Sequence, residues 1–258
     1  MSETGHAEPA PAHASSVVTR LGGVGRGLGL REYLVVMGGV MMLANVCLIF
    51  WGAPTDAILG DIQRVFYFHV PIAVMSFLAF FLVFVASIAY LVKRNPAWDR
   101  LAQASAEVGV VFVTLALITG VIWARPVWGV WWTWEPRLTT TLILWLIYVA
   151  YLMVRAYASN PSQGARYSAV VGIVGFVDVP IVYYSVIWWR SIHPSPVVGP
   201  LSDTGALEGT MAAVLLFSFV TFLILFVYLV TQRMAQREGE DQLGGIRSAL
   251  RRRASNAI

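Results

Sequence analysis

Apolar runs long enough to cross a bilayer alternate with short polar stretches six times along this chain. Spanning a hydrocarbon core takes about 20 apolar residues. Runs of that kind lie at about Tyr33–Trp51, Phe66–Val92, Gln103–Trp123, Leu138–Val154, Tyr167–Trp189 and Gly209–Val230. Backbone polar groups inside lipid must be satisfied within the segment, so each run predicts a helix. The pattern predicts an all-α integral membrane protein with six transmembrane helices. One membrane domain covers 33–230. A tail over 1–32, rich in Ala, Pro, Gly and Ser and expected to be disordered, precedes it, and a basic tail over 231–258 follows. The first tail contains no apolar run, so no signal-peptide core is expected there.

Composition agrees with this reading. Only 12% of the residues are charged, against about a quarter in soluble domains. The single cysteine, Cys47, leaves no intramolecular disulfide and no Cys-x-x-Cys-His site for covalent haem. Its position within an apolar run predicts a small core residue. Nothing in the chain suggests a nucleic-acid partner.

The distribution of Lys and Arg orients the spans. Fourteen of the eighteen lie in the two tails and in the connections 93–100 and 155–166, leaving only Arg64, Arg125, Arg137 and Arg190 on the other side. Both termini are therefore expected in the cytoplasm, where the basic C-terminal tail can meet anionic lipid. His69, His193 and a tryptophan-rich loop over 123–138 then share the outer side.

That loop, within the stretch WARPVWGVWWTWEPRLTT from Trp123 to Thr140, holds five of the ten tryptophans. An interfacial aromatic belt explains Trp51, Trp98, Trp188 and Trp189, but explains poorly five tryptophans in one short loop. If residues 128–135 form a helical turn or two, Trp128, Trp131, Trp132 and Glu135 share a face by their three- and four-residue spacing, with Trp134 pointing elsewhere.

His69 lies two residues before Pro71 at the mouth of the second span, and His193 lies about one turn beyond the fifth. Two imidazoles at one depth fit either a pair of hydrogen-bonded interfacial side chains or two ligands of one metal. No third histidine, cysteine or close carboxylate pair accompanies them, which disfavours zinc or a facial-triad iron. Axial ligation of a haem needs only two histidines, and filling both positions suits storage, delivery or electron transfer better than oxygen chemistry. Arg64, Arg125, Arg137 and Arg190 are candidate partners for haem carboxylates.

Two acids lie within spans. Glu107, near the inner start of the third, reads as structural, favoured by the positive end of the helix dipole. Asp178, halfway through the fifth, is either an intramembrane functional acid or a protonated side chain bonded to backbone that a Pro180 kink frees.

WGVWWTWEPRLT resembles the tryptophan-rich signature of haem-handling proteins of cytochrome c maturation. FYFHVP (Phe66–Pro71) is similar to their His-Val-Pro block, and VPIVYYSVIWWRSIH (Val179–His193) to their block ending in Trp-Trp-x-x-x-His. Together these blocks resemble the haem exporter protein C family over about residues 33–230. The resemblance implies a non-covalent haem b, with iron held by His69 and His193. It also implies a platform and chaperone-docking surface of Trp128, Gly129, Trp131, Trp132, Trp134, Glu135, Arg137 and Leu138. The chain departs from the family pattern at Glu135, where Asp is usual, at Asp178, where Asn is usual, and at Arg190, where Asn is common.

The function implied is binding and delivery rather than catalysis. Haem would be held at the periplasmic face of a bacterial inner membrane and passed to a periplasmic haem chaperone for c-type cytochrome assembly. ABC-transporter-type subunits and a small membrane subunit would be companions. Two rivals stand beside it. A cytochrome c–haem lyase subunit shares the signature but is longer, with a further histidine pair. A small-substrate permease working through Asp178 would need that acid and dispense with the histidines.

Overall fold

The computed structural model describes residues 29–189, 191–194, 196 and 207–255. Its long elements are helices: α1 (Leu30–Cys47), α2 (Phe66–Lys93), α3 (Pro96–Trp128), α4 (Pro136–Ala156), α5 (Pro161–Gly175), α6 (Asp178–Trp188) and α7 (Gly209–Ser255). A wider π-type turn, Leu48–Gly52, continues α1, and a 3-10 turn, Asp61–Val65, leads into α2. With α5 and α6 taken together, six segments are long and apolar enough to cross a membrane. That is the number the hydropathy pattern predicts.

Three helices start on the same local device. Pro96, Pro136 and Pro161 are first residues, where a missing N–H costs nothing. Each follows a side chain that accepts a backbone N–H. Asn95 takes Ala97 N–H at 2.9 Å, Glu135 takes Leu138 N–H at 2.8 Å, and Asn160 takes Ser162 N–H at 2.9 Å. Such caps satisfy donors the helix leaves open. The Asn95-Pro96 start corrects the connection expected over Lys93–Arg100. α2 runs through Lys93, Arg94 turns the chain at φ 54°, and α3 is already helical at Pro96, well before its apolar run.

The fifth span is two helices instead of one. Pro180 has no N–H for the Phe176 carbonyl, and its ring crowds that oxygen in a continuous helix. The chain breaks at Phe176–Val177, where Val179 N–H takes the Phe176 carbonyl instead at 3.1 Å. The last span, by contrast, continues past Val230 as one 47-residue helix.

α2 and α3 form the central hairpin, and the core has two sides around it. On one side Ile72, Met75 and Ala79 of α2 and Val108, Phe112 and Ala116 of α3 meet Phe222, Phe226 and Val230 of α7. On the other, Phe80, Val83, Ala106 and Val113 meet Leu144, Tyr148 and Tyr151 of α4 and Val179 and Val182 of α6. Phe80 stacks on Tyr148 with ring centroids 3.7 Å apart. Lipid is as apolar as a leucine side chain, so helices here gain by close packing over small residues. A Cβ at Gly109 would lie 2.7 Å from the Phe80 ring and 2.9 Å from the Ala79 Cβ. No side chain fits between α2 and α3 at that level.

Two expectations are corrected. Cys47 is exposed on α1 and is no core residue, because α1 turns its buried positions, such as Asn45, toward α7. Glu107 does not lie in the first turn of its helix. It accepts from Arg233 and Arg237 of α7 and from Gln103, so its charge is held by two guanidinium groups. It is structural, as expected, but by ion pairing between α3 and α7.

Candidate functional site

The start of α2, the end of α3 with the turn after it, the start of α4, and α6 with the stretch that follows it converge at one end of the bundle. They enclose an apolar cavity whose walls include His69, Trp123, Trp128, Trp132, Arg137 and His193.

His69 stands in the first turn of α2. Its Nδ1 lies 2.9 Å from the Thr119 hydroxyl of α3. The next residue, Gly120, leaves space for the ring, since a Cβ there would lie 3.2 Å from His69 Cε1. His193 lies just beyond α6, where its backbone N–H donates to Ser191 Oγ at 3.1 Å. Its Nδ1 is 3.1 Å from the Pro194 carbonyl oxygen and 3.3 Å from Arg137 Nη1, and its ring meets Trp128 edge-on at 6.2 Å. Burial pushes the His193 imidazole down to about 4, and the Arg137 charge pushes the same way against the Pro194 carbonyl. At neutral pH the ring is therefore uncharged, as a metal ligand must be.

Arg137 is fixed from two sides. Nη2 donates to the Tyr183 carbonyl at 3.1 Å, and Nη1 lies against His193. Its Nε is buried without a partner among the described residues, so donor capacity is left over at the cavity wall. Leu138, one residue on, lines the cavity as well.

The tryptophan stretch is built differently from the helical face expected of it. α3 does not stop at Trp123 but runs on to Trp128. There Gly129, at φ 77°, closes it by donating its N–H to the Arg125 carbonyl at 3.0 Å. A left-handed glycine is a common helix stop. Residues 130–135 are irregular, and Glu135 is the cap of α4 instead of a member of a tryptophan face. Trp128 and Trp132 still line the cavity. Trp131, 59% exposed, and Trp134, 75% exposed, turn outward instead. Trp131 lies under Arg125 at 5.8 Å, and Trp134 meets Trp132 edge-on at 5.7 Å.

Arg64, Arg125 and Asp178 do not line the cavity. Arg64 pairs with Asp61 at 3.1 Å and donates to the Ile49 carbonyl, fastening the turn after α1 to the start of α2. Arg125 donates to the Gly129 carbonyl. Arg190 lies outside the described residues. Asp178 is buried at the start of α6, its Oδ2 without a partner among the described residues, and it does not line the cavity. Gly120 and Trp123 line the cavity although neither was among the candidate site residues, and Thr119 stands behind the wall against His69. Ala116, Gly120 and Trp123 fall at helical spacing in an apolar run, a small-small-aromatic face that was the available signal.

Architecture and site together define a polytopic helical membrane protein with a tryptophan-walled cavity between two histidines at one end. Residues 27–243 match the family model described as heme exporter protein C, and the chain belongs to that family. It is 37% identical over 177 residues to a heme exporter protein C of Bradyrhizobium diazoefficiens, covering 69% of this chain and 67% of that one. Against a heme exporter protein C of Escherichia coli K12 the identity is 33% over 187 residues, covering 71% and 75%. The corresponding Rhodobacter capsulatus protein is 32% identical over 205 residues, covering 79% and 84%. The family is one of multi-pass membrane proteins of haem export and c-type cytochrome biogenesis.

Proposed function

We propose that the cavity receives haem without a covalent link, His69 and His193 taking the two axial positions. One observation carries this: both imidazoles and three tryptophans line a single apolar cavity. The donor set suits the group. Two neutral imidazoles complete a porphyrin's coordination, Trp123, Trp128 and Trp132 offer aromatic surface to the macrocycle, and Arg137 offers a charged fork to a carboxylate. In this reading Arg137, rather than Arg64 or Arg125, meets a propionate, since those two are engaged elsewhere.

The histidine end faces the periplasm of a bacterial inner membrane, and both termini lie in the cytoplasm, on the strength of the Lys and Arg distribution. Trp131 and Trp134, exposed beside the mouth, form the surface on which a periplasmic haem chaperone docks. The protein binds and hands on haem within a cytochrome c maturation assembly that includes ABC-transporter-type subunits, and it makes or breaks no bond of its own.

The test is a reduced-minus-oxidised visible spectrum of the purified protein in detergent, for wild type, His69→Ala and His193→Ala. A bis-histidine haem spectrum lost in either variant is the expected result. A haem-free wild type, or spectra unchanged in both variants, overturns the ligand assignment.

A further inference from the structure

We infer that Thr119 is a positioning residue for His69, setting which ring nitrogen carries the proton. The inference rests on the haem reading, and a count of protons carries it. A threonine hydroxyl has one. Thr119 Oγ1 lies 2.8 Å from the Leu115 carbonyl oxygen, 3.2 Å from that of Ala116 and 2.9 Å from His69 Nδ1. The carbonyls can only accept, so the hydroxyl proton goes to them. The reverse arrangement would aim the hydroxyl's lone pairs at two carbonyl oxygens. His69 Nδ1 must therefore be the donor to Thr119, which leaves Nε2 as the bare nitrogen of a ring that lines the cavity.

Metal-bound histidines commonly donate their other ring N–H to such a partner, which fixes the tautomer and raises the basicity of the ligating nitrogen. Here the partner is itself anchored to the backbone of α3. Gly120 adds the space beside Cε1 that lets the ring take this position. Thr119 thus joins the wall of α3 to a ligand on α2, and the tautomer is set before haem arrives.

The experiment compares Thr119→Val, Thr119→Ser and His69→Ala with wild type. The full-length chains, purified in detergent, are stripped of haem and titrated with haemin, and the reduction potential and Soret band of each loaded protein are recorded. Valine keeps the shape and removes the acceptor. Haemin affinity should fall about 10–100-fold, and the potential should move positive because the axial imidazole donates less to ferric iron. Serine should restore both. Thr119→Ala against Thr119→Ser makes the same comparison if valine disturbs packing. Wild-type affinity, potential and Soret band in the valine and alanine variants would overturn the assignment, and so would a serine variant as impaired as the valine. His69→Ala separates the two levels. If it binds haemin as wild type does, the haem reading itself fails. If it loses binding while Thr119→Val is normal, only the role of Thr119 fails.

Discussion

Glu135 and Ser191 join the two halves of the cavity mouth. One carboxylate oxygen of Glu135, Oε2, accepts the Ser191 hydroxyl, while Oε1 caps α4 at the Leu138 N–H. Ser191 Oγ also takes the His193 N–H. A single side chain thereby fixes both the start of α4, which carries Arg137, and the segment that carries His193.

Glu135→Ala removes the cap and the tether together. The cap alone is worth about 0.5–2 kcal/mol. Ser191→Ala keeps the cap and loses only the tether. Thermal unfolding in detergent should therefore fall more for Glu135→Ala, whereas haem retention should fall in both. Full retention in Ser191→Ala would show that His193 is positioned without this link.

Arg137→Met should weaken haemin binding roughly tenfold or more, the scale of a charge-assisted hydrogen bond of about 1.5–3 kcal/mol. The control is haemin dimethyl ester, which has no carboxylate charge. Wild type and Arg137→Met should bind the ester about equally. An equal deficit for both porphyrins would assign Arg137 to holding Tyr183 and His193 in place and not to meeting a propionate.

Arg64→Ala and Arg125→Ala should leave the haem spectrum and haemin affinity unchanged, because both guanidinium groups are spent on backbone carbonyls. Arg64→Ala should instead lower thermal stability, by loosening the turn between α1 and α2. A lost spectrum in either variant would contradict the placement of Arg137 as the sole described arginine on the cavity wall.

Gly109→Val should destabilise the bundle by about 1–3 kcal/mol, the usual cost of overpacking, since even a Cβ there meets Phe80 and Ala79. A Cβ at Gly129 meets no neighbour, yet Gly129→Val should cost about 1–2 kcal/mol from its left-handed backbone, and Gly129→Asn less. Equilibrium unfolding in a detergent mixture measures all three, and equal stability of the valine and asparagine variants at 129 would remove the backbone argument.

The six spans were legible because a lipid-crossing helix leaves about 20 apolar residues in a row, and nothing else in a chain of this length does so repeatedly. Helix ends were less legible, because a cap such as Asn95-Pro96 starts α3 within residues that read as a polar loop. His69 and His193 could be matched in depth by counting from the span ends. The tryptophan turn could not be read in the same way. Three- and four-residue spacing suggested a helix through Trp128, Trp131 and Trp132, whereas Gly129 at φ 77° ends the helix one residue into that pattern. Thr119 was silent for another reason: a threonine in an apolar span ordinarily bonds its own helix, and only the approach of α2 reveals a second partner.

The length of α7 alters what the basic tail can sense. At 1.5 Å per residue, a continuous helix carries Arg247 about 25 Å beyond Val230, and Arg253 about 35 Å. The field of an anionic lipid surface decays over a Debye length of about 8 Å at physiological salt. If the apolar stretch ends near Val230 and the helix stands along the membrane normal, those arginines stand several decay lengths from the membrane surface. Salt or lipid charge should then have little hold on them, and their charge is presented to the aqueous phase as the tip of a rod instead of being laid against the membrane.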